Sequence, residues 1–326
     1  MSARAIAALA IAVLAACHHG DGGATTPIAD EAAGSAAGSG SATAQVLDRM
    51  LGLLPDNAQV IVEIDLDRLR ANAVVGEVAK RGLAGLGADS HLPGLPVAVA
   101  GSPLAGADAI VLAAYGVGTA QATTVTLLAT AIAVPGAVRL APDIVAVGDD
   151  QWVAQVAERA QLAAQHPLVL SAELRELRRH AEPKGATGAV MRVTARLTFD
   201  ARVALARLTG VDAAPARISL WADIADDLAV VVDADAVDPG DPAVKDAAKR
   251  MAHTIRGLLE ELGDEPLLRN LGVGGALGDA RLIADGTWVR TVIAVGPHHL
   301  ARVADRARAM LDPAPASTSA PAQPTP

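Results

Sequence analysis

A chain of 326 residues that is 52% hydrophobic yet only 2% aromatic can bury one large core or two ordinary ones, built from alanine, valine, leucine and isoleucine. The net charge of -9 and the five aromatic residues, Tyr115, Trp152, Phe199, Trp221 and Trp288, exclude a nucleic-acid binder, which needs cationic stripes and stacking platforms. Small side chains bury little area each, so at about 25 cal/mol per Å² the stability comes from many small contacts.

Residues 1–16 read as a secretory signal peptide: Arg4 in a short positive region, an apolar run from Ala5 to Val13, then small residues before Cys17. Cys17, His18, His19 and Asp21 have the composition of a metal site. The tetrad Leu14-Ala15-Ala16-Cys17, however, resembles the lipobox of bacterial lipoprotein precursors. The resemblance covers about the first twenty residues, and no other cysteine occurs in the chain. It implies that the Cys17 thiol carries a diacylglycerol, that the chain is cut before it, and that the new amino terminus is acylated. Several acyl chains hold a protein to a membrane durably, at about 0.8 kcal/mol per buried methylene. A thiol consumed in this way is no metal ligand, so His18 and His19 begin a polar tether. The expected location is the cell envelope, with the protein held to a membrane by its lipid. In the Gram-negative lipoproteins that the tetrad resembles, a residue other than aspartate after the cysteine favours the outer membrane, so the resemblance implies the outer membrane over the inner for a chain with His18 there.

Residues 17–44 hold the lipidated cysteine and a linker rich in Gly, Ser, Ala and Thr, whose roughly 25 residues reach about 25–30 Å. Residues 313–326, PAPASTSAPAQPTP, form a Pro-rich tail.

The body between them reads as two halves, 45–183 and 184–312. IVAVGDDQWVAQVAERA from Ile144 matches VIAVGPHHLARVADRA from Val292, with one residue fewer after the glycine. Each copy reads as a buried strand, a glycine turn and an amphipathic helix, preceded by a hairpin strand at 137–140 or 279–284. Each half also opens on an alternating strand: Val60, Val62, Ile64 and Leu66 against Glu63, Asp65 and Asp67, and Met191 to Leu197 interrupted by Arg192, Thr194 and Arg196. The expected fold is therefore α+β, with largely antiparallel sheet, amphipathic helices on one face, and a tandem duplication of a β-α-(β)n-α unit. If the opening strands pair, Arg192 and Arg196 answer Glu63 and Asp65 across the seam. On exposed faces those carboxylates stay in water, and Asp65 or Asp67 caps the next helix.

From Ala109 to Val138 no residue is charged, but Gly116, Gly118, Thr119 and Gln121 in the middle favour a buried hairpin over a membrane span. A helix is predicted over 172–180. Another runs through Val244, Ala247, Ala248, Met251, Ile255, Leu258, Leu259 and Leu262, with Asp241 as N-cap, Pro242 at its first position and Gly263 past its end.

The chemical motifs are weak. GVGGALG from Gly272 has Leu277 where a dinucleotide loop needs its third glycine, and reads as a helix stop and turn. His298 and His299, adjacent on a helix, point about 100 degrees apart and do not share a metal. Asp233, Asp235, Asp238 and Asp241 lack the glycine and glutamate of a calcium loop, and read as strand exit and helix capping. No G-x-S-x-G occurs, and Ser102 in GSPLAG sits in a turn. No catalytic residue, metal or cofactor is expected. Trp221, beside Ser219 and Asp223, and Trp288, on the side of Arg290, are the candidate contacts for a partner or ligand. The functional expectation is a non-enzymatic binding or scaffold lipoprotein whose partner is an envelope protein. A carrier of lipid or another apolar ligand and an unrecognised envelope hydrolase are the alternatives.

Overall fold

The computed structural model describes residues 40–85, 104, 106–209, 214–237 and 246–311. The signal peptide, Cys17, the linker up to residue 39, Ser102, Asp238, Asp241, Pro242, Val244 and the tail at 313–326 lie outside the described residues.

The first half contains α1 (Gly40–Leu53), β1 (Val60–Asp65), α2 (Leu66–Ala71), α3 (Gly76–Gly85), β2 (Ala109–Tyr115), β3 (Thr123–Ala129), β4 (Val138–Ala141), β5 (Ile144–Gly148) and α4 (Asp150–Ala163). After α5 (Ala172–His180), the second contains β6 (Met191–Arg196), α6 (Phe199–Thr209), β7 (Arg217–Ile224), β8 (Leu228–Asp235), α7 (Ala247–Asp264), α8 (Pro266–Leu271), α9 (Gly274–Gly278), β9 (Arg281–Asp285), β10 (Trp288–Val295) and α10 (Pro297–Leu311). The strands form one antiparallel sheet of ten, ordered β4-β5-β3-β2-β1-β6-β7-β8-β10-β9. The two opening strands meet at its centre, with Glu63 opposite Arg192 and Val62 opposite Val193. The uncharged stretch is the β2–β3 hairpin, Ala109 opposite Ala129 and Tyr115 opposite Thr123. No helix among the described residues is long and apolar enough to cross a membrane.

Helices lie on both faces, not on one as the strand alternation suggests. Val60, Val62 and Ile64 share a core with Ile110, Leu112, Val230, Val295 and the α10 residues Leu300 and Val303, so this core runs through both halves. Ile61, Val111 and Leu127 point the other way, into a second core under Met50 and Leu51 of α1 and Val153 and Val156 of α4. Cover on both sides buries β1 and β2 along their whole length, Glu63 and Asp65 included. The expectation that these two carboxylates face water is thereby corrected.

Three boundaries also move. α1 starts at Gly40, inside the expected linker, because Thr43 already falls on the stripe of Leu47, Met50, Leu51 and Leu54. α7 runs through Gly263 to Asp264. A Cβ on Gly263 would lie 3.2 Å from the Cα of Gly274, so this glycine lets α7 approach α9 and is no helix stop. Gly272 is the stop, closing α8 at φ 84, and Gly274–Gly278 forms a short helix where a turn was expected.

The matched segments diverge after their glycines. Gly148 has φ 145, and a Cβ there would run into the Thr124 carbonyl. The chain turns through this left-handed region, is capped by Asp149, and lays α4 on the α1 side. Gly296 is not among the glycines with positive φ, and α10 lies on the opposite side of the sheet. Among the described helices, α5 is therefore the cover on the α1 side of the second half, over β6 and β7.

Candidate functional site

Beyond the edge of α5, two rungs of paired residues cross the sheet. Asp233 and Asp235 are both on β8, two apart, and so face the same way. On one rung Arg217 of β7, Asp235 and Trp288 of β10 stand side by side; on the next come Ser219, Asp233 and Arg290. The antiparallel register alone thus sets each aspartate between an arginine and a second polar or aromatic residue.

Both aspartates are 1% exposed, and each is held by arginine. Arg290 donates to Asp233 through Nε at 2.8 Å and Nη2 at 2.6 Å, and Nη2 also donates to the His180 carbonyl at 2.9 Å. Its hydrogen bonds to Asp233 hold the Arg290 guanidinium above its ordinary pKa against the opposing effect of burial. Arg217 donates to Asp235 through Nε at 3.0 Å and places its guanidinium carbon 5.1 Å from the centre of the Trp288 ring. His180, the last residue of α5, closes the cluster: its Nδ1 lies 2.8 Å from Asp233 Oδ2, and its ring stacks on Trp288 at 3.9 Å.

The two tryptophans have different fates. Trp221 is 6% exposed, packs with Ala181 and Val231, and donates its indole N–H to the Gly188 carbonyl at 2.9 Å. The segment after α5 covers it, so it is not presented to a partner. Trp288 is half-buried, and beside it Arg290 leaves 41% of its side chain exposed. Asp233 lies inside β8 as the partner of Arg290, which corrects its assignment to strand exit, whereas Asp235 ends the strand as expected, accepts from the Val237 N–H at 3.3 Å and is also the partner of Arg217. Two-residue spacing on RISLW, VVVDAD and WVR carries this arrangement, but it becomes readable only once the pairing order of β7, β8 and β10 is known.

Toward the centre of the sheet the carboxylates of β1 find partners on helices. Arg178 of α5 grips Glu63 through Nε and Nη2, both at 2.7 Å, and reaches Asp48 at 3.2 Å. Burial works against the Arg178 charge, but the attraction and hydrogen bonds of Glu63 outweigh it and raise the pKa. Asp65 caps α2 by accepting from the Arg68 N–H at 2.8 Å, and burial raises its pKa above the ordinary carboxylate value. The central strands pair as expected, but the arginines of β6 do not serve β1: Arg192 holds Glu182 at 3.0 Å and Arg196 holds Glu173 at 2.9 Å. A cavity of about 60 Å³ lies among Glu63, Asp65, Arg68, Arg178 and Arg192. At the other end of the central strands a cleft of about 470 Å³ is lined by Asn57, Gln59, Glu173, Arg196, Thr198 and Arg217, among others.

His298 and His299 fall in the first turn of α10. Among the described residues no group of three or more His, Cys, Asp or Glu side chains is placed to hold a metal. No family model, curated protein or solved structure matches the chain.

Proposed function

We propose that the protein is a lipoprotein of the cell envelope, tethered through lipid on Cys17, and that its body acts as a binding or scaffold module for an envelope protein. The lipobox resemblance supports the tether. The observation that carries the binding reading is the uneven cover of the sheet by the described helices, which leaves Trp288 and Arg290 at the margin of a fixed polar cluster on the face where no described helix is the counterpart of α4. A cluster whose carboxylates are already clamped by arginines has a set shape, which suits recognition better than proton transfer. Ser219, beside Asp233, is 0% exposed and accepts from the Ala181 N–H, so no substrate reaches it as a nucleophile. The carrier reading calls for a large apolar pocket, whereas the two clefts above are rich in charged and polar groups.

The body reads best as a tandem duplication. The strands β1, β2, β3, β4 and β5 correspond in order and sheet position to β6, β7, β8, β9 and β10, outward from an antiparallel β1–β6 seam. The fourth strand of each half stands at an edge and the fifth returns inside it.

Photo-crosslinking in intact envelopes tests the binding reading. A probe at position 288 gives a partner adduct that Arg290→Ala weakens, while a probe at Phe199, 75% exposed on another element, gives none. Adducts of equal yield from both positions, or none from 288, contradict it.

A further inference from the structure

The ten-stranded sheet ends in two different edges. β4 has four residues, and its register to β5 shifts between Arg139 and Ala141. The Arg139 side chain folds back on the Pro142 and Ile132 carbonyls at 2.8 and 3.2 Å. A short, bulged strand is a blunted edge. β9 is regular: Arg281 to Asp285 pair residue for residue with Val292 to Trp288, closed by the two-residue loop Gly286-Thr287 with Gly286 at φ 57. In such a ladder Arg281, Ile283 and Asp285 turn their backbone groups to β10, while Leu282 and Ala284 aim theirs outward. No described residue takes those outward groups.

The sequence of this edge, Arg-Leu-Ile-Ala-Asp, is complementary to itself when reversed. An antiparallel pair centred on Ile283 sets Arg281 against the partner's Asp285 and Leu282 against the partner's Ala284. The outward backbone groups of Leu282 and Ala284 then form the hydrogen-bonded pairs, and the two Ile283 residues meet at the non-hydrogen-bonded position, where side chains of paired strands lie closest. Both charge pairs fall on the same face as Ile283, which is 40% exposed. Neither Arg281 nor Asp285 has an ion-pair partner among the described residues. We propose that β9 is the seam of a homodimer in which two copies of this chain join edge to edge about a two-fold axis at Ile283. The charges serve as register marks: a slip by two residues in either direction breaks both charge pairs and sets Ile283 against the partner's Arg281 or the partner's Asp285.

Cysteine crosslinking in the full-length chain, purified in detergent, tests the proposal. The axis puts the two Cβ atoms at position 283 about 4.5–5.5 Å apart, close enough for a disulfide after slight adjustment. Mild oxidation of Ile283→Cys yields a species of twice the chain mass, above the background set by the parent with its one cysteine. Val138→Cys on the other edge stays at that background. Adding Asp285→Arg to Ile283→Cys lowers the dimer yield several-fold, and the further change Arg281→Asp restores it, which no loss of folding can mimic. A monomeric Ile283→Cys, a yield indifferent to the charge reversals, or an adduct to a protein of another mass overturns the proposal.

Discussion

Glu63 is 2% exposed in the middle of a strand, and its tolerance there depends on the two hydrogen bonds from Arg178. Removing one partner of a buried pair strands the other charge, so Arg178→Met is expected to lower the unfolding free energy by about 3–5 kcal/mol. Pairing it with Glu63→Met removes both charges and restores much of that loss; urea denaturation of the single and double variants measures the difference. Asp65 behaves differently. Its folded pKa is raised by burial, so at neutral pH the ionised carboxylate opposes folding, and this penalty fades as pH falls through the folded value toward the unfolded one. Asp65→Asn keeps an acceptor for the Arg68 N–H and drops the charge. It is expected to be more stable than the parent at pH 7, with the gap closing as acid protonates the parent; a gap that widens in acid contradicts this assignment. The pairing of Glu63 with Arg178 was not legible in the sequence, because the two residues are 115 apart and only the docking of α5 over β6 and β7, next to β1 in the sheet, brings them together.

Strand–glycine–helix is the element on which the two halves part company. Gly148 and Gly296 occupy matching positions in IVAVG and VIAVG, but only the first shows a left-handed φ and a backbone carbonyl where a side chain would stand. Gly148→Ala is expected to cost about 1–3 kcal/mol or more, whereas Gly296→Ala, with nothing within 4 Å of the added methyl, changes stability little. Thermal unfolding of the two variants separates them. The matching strand–glycine–helix segments, the β2–β3 hairpin and the limits of α5 could be read from hydrophobic periodicity and turn residues, since those signals are local. The side on which α4 or α10 lands could not. The buried stripe of either helix fits any apolar sheet face, and the choice is made by the turn. Likewise Gly263 looks like a helix end until its closeness to Gly274 shows it to be a packing contact between helices.

For the whole molecule, the central pairing of β1 with β6 makes the halves one body, because the core of Val60, Val62 and Ile64 continues into Ala222, Val230 and Val295. Unfolding is accordingly expected as a single cooperative transition, with Glu63-side and Asp233-side substitutions shifting the same midpoint; two resolved transitions contradict that picture. The half-sheets differ in their cover by described helices, and Trp288 and Arg290 keep partial exposure while Trp221 lies beneath the chain after α5. The two residues share a face by simple alternation, as the sequence suggests, whereas the burial of Trp221 follows from a loop path that periodicity does not encode. The proposed scaffold role rests on the proposed lipid anchor, and the mass of the N-terminal peptide of native protein taken from membranes tests it. A peptide that begins at Cys17 and carries a diacylglycerol on sulfur and an acyl chain on nitrogen is the expected result. A peptide that retains residues before Cys17, or one with a free thiol, contradicts the lipoprotein reading.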